Sequence, residues 1–265
     1  MRKDFDREYI EKELTRIEKD LDERIDFYML GGGAMSFRGL KAATKDVDGV
    51  VKSRKEFDRL KRALADSRYD EIEVSEVYEK MKTRIFLQNE EGFRFDLFVK
   101  KIADGLLLSD GMMNRSERLL GLEDLNVLVM SPEDIFILKS VTSRERDKDD
   151  MNILFTQGLD FDVIKEEIIW QSENSTSKAW LAYFYVGLVE FVEKYGFEIP
   201  YFDEFGEIAS REVVRYQIKD MLRDGEMKIT EIVDEIGEDR EWVEDVLKEM
   251  EGDEISIKGD IVRKL

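Results

Sequence analysis

At 265 residues the chain can hold one large domain or two to three small ones, and its 42% hydrophobic and 39% charged residues fit a globular protein with a wet, charged surface. It has neither histidine nor cysteine. That excludes imidazole bases, thiol nucleophiles, disulfides and zinc fingers, so any metal must rest on carboxylates and carbonyls, which suits Mg²⁺ or Mn²⁺. A net charge of −20 works against broad attraction to nucleic acid or to an anionic membrane.

Phe5, Tyr9, Ile10, Leu14, Ile17, Leu21 and Ile25 recur at three- to four-residue spacing, which predicts an amphipathic helix over residues 5–25. The run Phe27, Tyr28, Met29, Leu30 is a strand candidate that stops at Gly31, Gly32 and Gly33. Val47, Val50 and Val51 mark a second strand, and residues 56–65 read as a helix. Residues 72–77, 84–88 and 93–99 read as strands, the last two as a hairpin around Asn89, Glu90, Glu91 and Gly92. Another short strand is expected at 125–129. Ser131, Pro132, Glu133 and Asp134 form a helix start, with serine at the N-cap and proline at the first helical position. Helical patterning continues to about residue 155, and further helices are expected over 161–170 and 177–195 before Gly196 and Pro200.

From about residue 207 the pattern becomes helix (213–222), short helix (229–236), Gly237, helix (242–250) and a two-stranded wing (254–262). That order predicts a winged helix-turn-helix. The expected fold class is α+β: a mixed sheet flanked by helices over residues 1–157, a helical extension over 158–204 and a winged-helix domain over 205–265. The start at Met1, Arg2, Lys3 and Asp4 is charged rather than apolar. The most apolar window, 179–189, is too short to span a bilayer. The expected compartment is the cytoplasm, with no membrane partner.

Chemistry concentrates in three acids. Asp46 and Asp48 are two residues apart on a strand, so they share a face. Asp96, within Phe95, Asp96, Leu97, can join them from a neighbouring strand. Crowded carboxylates repel one another unless cations intervene, and two divalent ions would convert them into a clamp for phosphoryl transfer. The glycine turn after the first strand lets backbone N–H groups approach phosphate oxygens.

Leu30, Gly31, Gly32, Gly33, Ala34 and Met35, then Arg38 and Gly39, then Thr44, Lys45, Asp46, Val47 and Asp48 resemble the nucleotidyltransferase fold of the DNA polymerase β superfamily. They are most similar to its Gly-Gly branch, which includes AbiEii-type toxins. Ser131, Pro132, Glu133, Asp134 and Ile135, with Lys139, Arg144, Arg146, Asp147 and Asp150, resemble that branch's second motif. The resemblance covers roughly residues 25–155. It implies that Asp46, Asp48 and Asp96 bind Mg²⁺ (or Mn²⁺), with Asp96 also helping to deprotonate the acceptor hydroxyl. It implies further that Gly31 and Gly32 contact the triphosphate of an NTP, that Lys139 pairs with phosphate, and that Asp150, with Asp147 beside it, completes the site or orients Lys139 and Arg146. Glycine stands at the second turn position where many relatives have serine. Ala42 stands where many have arginine, and Lys41 or Lys45 is a candidate substitute.

Ser36, Arg38 and Lys45 are candidates for touching nucleotide or for solvating a loop. Phe93, Phe95 and Leu97, like Trp180, Tyr183, Phe184 and Phe191, read as packing residues, and Lys100 with Lys101 reads as a surface pair. The expected reaction is transfer of NMP from an NTP to a hydroxyl of RNA, protein or a small molecule. The alternatives are a non-catalytic regulator with the winged helix as output module, and a toxin–antitoxin component masked by a partner. Residues 207–265 carry 10 Lys/Arg against 18 Asp/Glu, and the expected recognition helix region holds Glu238, Asp239, Glu241, Glu244, Asp245 and Glu249. Protein contact is therefore favoured over DNA binding.

Overall fold

The computed structural model describes residues 3–72, 85–102, 105–142, 144–175 and 178–265. These fall into two units, Met1–Pro200 and Tyr201–Leu265. In chain order the first holds β1 (Phe5–Asp6), α1 (Arg7–Glu18), β2 (Ile25–Leu30), α2 (Gly31–Phe37), β3 (Ala43–Thr44), β4 (Asp46–Val51), α3 (Arg54–Asp66) and β5 (Asp70–Glu71). There follow β6 (Ile85–Gln88), β7 (Arg94–Val99), β8 (Lys101–Ile102), β9 (Leu106–Leu107), α4 (Asp110–Arg115), β10 (Glu117–Gly121) and β11 (Leu125–Val129). Helices α5 (Pro132–Ser140), α6 (Glu145–Thr156), α7 (Phe161–Asn174) and α8 (Ala179–Tyr195) complete it.

The sheet order is β10-β11-β2-β4-β7-β6-β5. The pairs β11·β2 and β4·β7 run parallel and the other pairs antiparallel, so the fold is α+β with a mixed sheet flanked by helices. Helix α3 lies against β2, β4 and β7, with α1 beside it. Between them Phe95 packs edge-on to Phe27, Phe93 and Tyr69. Gly49 is required here, because a Cβ at that position would fall 2.0 Å from the Phe27 ring.

The N-terminal helix is shorter than its apolar spacing predicts. It ends at Glu18, and Ile25 instead opens β2, its N–H donating to the Asp124 carbonyl at 2.9 Å. Sheet pairing outweighs helical periodicity there. The glycine run becomes the first turn of α2 rather than a loop. The helical stretch after Ser131 breaks between Ser140 and Glu145 into two helices. Ser131 caps α5 as expected, its hydroxyl accepting from the Asp134 N–H. The hairpin at Asn89–Gly92 also forms: the Asn89 amide oxygen accepts from the Glu91 and Phe93 N–H groups, each at 3.0 Å. Most of the strand expected at 72–77, together with Arg84 and Ser177, lies outside the described residues.

Trp180, Phe184 and Phe191 are fully buried as expected, but Tyr183 is 54% exposed and belongs to the outer face of α8. Helix α4 and strand β10 are additions that no sequence pattern announced. Arg115 of α4 pairs with Asp134 of α5 at 2.7 Å and with Glu167 of α7, which ties these helices together. Burial pushes the Asp134 carboxyl above the ordinary range, although Arg115 opposes it.

The second unit comprises α9 (Phe202–Met221), β12 (Met227–Lys228), α10 (Ile229–Ile236), α11 (Arg240–Met250), β13 (Ile255–Lys258) and β14 (Ile261–Lys264). Its sheet order is β12-β14-β13. Val214, Ile218, Ile232, Val243, Leu247, Ile255 and Val262 form its core. Helix α9 begins well ahead of the expected residue 213.

Candidate active site

Strands β4 and β7 pair in parallel with Asp48 opposite Asp96 and Asp46 opposite Arg94. Residues paired across a sheet share a face, and residues two apart on a strand do likewise. Asp46, Asp48, Arg94 and Asp96 therefore lie on one face. On the other side of β4, Asp48 pairs with Leu30, the last residue of β2. The next residue, Gly31, has φ +64°, and a Cβ there would sit 2.5 Å from the Asp48 Oδ2. Glycine is thus needed both for the left-handed backbone and for room beside the carboxylate. A Cβ on Gly32 would meet Thr44 Oγ1 at 2.6 Å, so the start of α2 is pressed against the segment leading into β4.

Arg94 spans two of the three acids. Its Nη2 lies 3.0 Å from Asp46 Oδ2 and 2.9 Å from Asp96 Oδ2, and its Nε lies 2.6 Å from Asp96 Oδ1. The guanidinium also lies over the Phe86 ring at 4.8 Å. Among the described residues no three acidic side chains are gathered into a preformed metal cluster. The donor set nonetheless fits a hard divalent ion. It is all oxygen, a cationic group already stands between Asp46 and Asp96, and Gly31 leaves space at Asp48.

Lys139, Asp147 and Asp150 meet in a second cluster. Lys139 Nζ lies 2.6 Å from Asp147 Oδ1 and 2.7 Å from Asp150 Oδ2. Lys41 approaches Asp150 at 2.7 Å, while Thr142 and Arg144 hold Asp147 at 2.6 and 2.7 Å. Burial opposes the charge of Lys139, yet Asp147 and Asp150 outweigh it and hold the ammonium above its ordinary range. Burial likewise opposes the Asp147 carboxylate, but Lys139, Thr142 and Arg144 hold it below the usual range.

The remaining sequence-derived candidates are dispersed. Arg38 donates to the carbonyls of Met130 (2.8 Å) and Val129 (3.2 Å) and pairs with Glu117, so it braces α2 against the end of β11. Ser36 is buried, its hydroxyl without a partner among the described residues. Lys45 is half-buried immediately before Asp46, and Arg146 is exposed on α6. Arg94 is the residue that sequence reasoning missed. Its signal was available, since it sits two residues before Asp96 on a strand and must share its face.

A mixed sheet flanked by helices, with a glycine-started helix directly after a central strand, is consistent with a nucleotidyltransferase-like fold. The chain belongs to the family described as "Nucleotidyltransferase of unknown function (DUF6036)", which it matches over residues 8–186. Membership supports nucleotidyl transfer in general terms and with it a nucleoside triphosphate substrate. No curated protein matches the chain significantly. Among the described residues no helix is long and apolar enough to cross a membrane.

Proposed function

We propose that the protein is a metal-dependent nucleotidyltransferase that moves NMP from an NTP to a hydroxyl acceptor. One observation carries this reading: the in-register pairing of Asp48 with Asp96 beside Gly31, with Asp46 on the same face. Asp46, Asp48 and Asp96 would hold Mg²⁺ or Mn²⁺. When bound, such ions lower the pKa of an attacking hydroxyl and neutralise triphosphate charge. The acceptor oxygen attacks the α-phosphorus, the bond to the bridging oxygen breaks and pyrophosphate leaves. Asp96 takes the hydroxyl proton. The backbone of Gly31 and Gly32, with Lys45, faces the triphosphate. Lys139 and Asp150 hold the frame behind it, and Arg38 braces the helix.

An AbiEii-like enzyme with a C-terminal winged helix is the finer form of this proposal, with domains at 1–157, 158–204 and 205–265 and a cytoplasmic location. The helix and strand order of the second unit supports the winged-helix reading. Its acidic α11, with Glu241, Glu244, Asp245 and Glu249, favours protein contact over DNA, and an antitoxin is the partner a toxin role requires. The bridging by Arg94 favours one rival, a regulator that binds nucleotide without turnover.

The test uses each NTP labelled at the α-phosphate, with Mg²⁺ or Mn²⁺ and total RNA or lysate. Wild type should transfer label, and Asp46→Ala and Asp96→Ala should lose it by about a hundredfold or more. Transfer undiminished by either substitution refutes the proposal, and no transfer from wild type under any condition favours the regulator.

A further inference from the structure

Building on the proposed metal site, we infer that Arg94 is a resident counter-cation of Asp46 and Asp96 and must yield its place to a divalent ion. One guanidinium contacts Asp46 and Asp96, which belong to different strands, at 3.0 and 2.9 Å through a single nitrogen. The side chain of Asp96 is 1% exposed and that of Asp46 is 17% exposed. Acids so far from water repel each other across adjacent strands unless a cation lies between them. Arginine is the residue suited to that task, because its charge is permanent and its planar fork reaches two partners at once.

Asp46 and Asp96, the carboxylates that Arg94 engages, are also two of the three that would hold a divalent ion. The two cations therefore compete. Arg94 does not leave freely: its side chain is 17% exposed, its Nε is buried and its guanidinium rests over Phe86, the residue paired with Asp96. The site thus stays assembled without metal and binds a free divalent ion weakly. A cation arriving on a triphosphate has the phosphate oxygens as extra ligands and gains the advantage. Arg94 is in this sense a positioning residue that makes metal occupancy depend on nucleotide.

The experiment titrates the full chain with Mn²⁺ alone, followed by calorimetry or by the paramagnetic signal of free Mn²⁺. The forms compared are wild type, Arg94→Met, Arg94→Lys and Asp46→Asn. Arg94→Met should bind Mn²⁺ about tenfold to a hundredfold more tightly than wild type, the range set by charge-assisted hydrogen bonds. Arg94→Lys, which keeps the charge, should stay close to wild type. Mn²⁺ should also raise the melting temperature of Arg94→Met more than that of wild type, which a purely structural arginine would not cause. Unchanged or weaker affinity in Arg94→Met, or equal tightening in Arg94→Lys, overturns the inference. If Arg94→Met is unfolded without metal, recovery on adding Mn²⁺ supports it and failure to recover overturns it. Loss of binding in Asp46→Asn leaves the metal site standing whatever Arg94 does, whereas unaltered binding there removes the metal site itself.

Discussion

Replacing Lys139 by methionine tests whether this lysine is a structural lock rather than a phosphate ligand. The substitution keeps much of the apolar stem and deletes the ammonium that sits 2.6 Å from Asp147 and 2.7 Å from Asp150. Removing one partner of a buried ion pair costs about 3–5 kcal/mol, because the other charge is left stranded. Thr142 and Arg144 still reach Asp147, and Lys41 still reaches Asp150, so the lower end applies. About 3 kcal/mol corresponds to a fall of roughly 6–12 °C in melting temperature for a unit of this size. The pH dependence should change with it. The carboxyl of Asp147 is depressed on folding, so its stabilisation is present above its unfolded pKa of about 4 and is lost as pH falls through the folded value. Lys139 is raised on folding, so its contribution is complete below about pH 10.4 and is lost as pH rises through its folded value. Thermal unfolding followed by circular dichroism across a pH series should show both limbs flattened in Lys139→Met. A fall below about 2 °C, less than 1 kcal/mol on the same scale, with unaltered limbs would falsify the lock and return Lys139 to the nucleotide.

Gly49→Ala should destabilise the protein by about 1–3 kcal/mol through overpacking, since the new methyl group would lie 2.0 Å from the Phe27 ring. A denaturant midpoint equal to wild type would show that the sheet absorbs it. The full chain should not shift duplex DNA at about 150 mM salt, because α11 presents a largely acidic surface. A retarded complex whose affinity falls steeply with added salt would contradict this.

The sheet and its acids were legible because strand alternation is a local rule. Asp46 and Asp48 share a face by spacing alone, and Phe95 with Leu97 reads as the apolar counterface of Asp96. Arg94 obeys the same rule, but a charge beside a hairpin turn reads as solvated until the pairing of β4 with β7 puts Asp46 opposite it. The cluster around Lys139 was legible in part, since the resemblance already has Asp150 and Asp147 orient the lysine, but its geometry was not. It depends on a break between α5 and α6 that folds Asp147 back onto the lysine, and no glycine or proline marks that break. Helix α4 and strand β10 escaped because they are short and rich in polar residues, so their placement comes from partners such as Asp134 and the neighbouring β11. The early end of α1 shows tertiary pairing overruling a periodicity that continued through Leu21 and Ile25.

The parallel alignment of β4 with β7 has a consequence for how such a chain can vary. Where Asp48 meets Asp96 is indexed by rungs of a hydrogen-bonded ladder, not by the amount of polypeptide joining the two strands. Length changes confined to turns of that connection, outside α3, β5 and β6, which are themselves packed on or paired into the sheet, therefore leave both acids on their rungs. A single residue inserted within β7 ahead of Asp96 would instead rotate that acid through the sheet into the aromatic layer around Phe27 and Tyr69. Tolerance to length and intolerance to phase thus coexist within a few residues of each other.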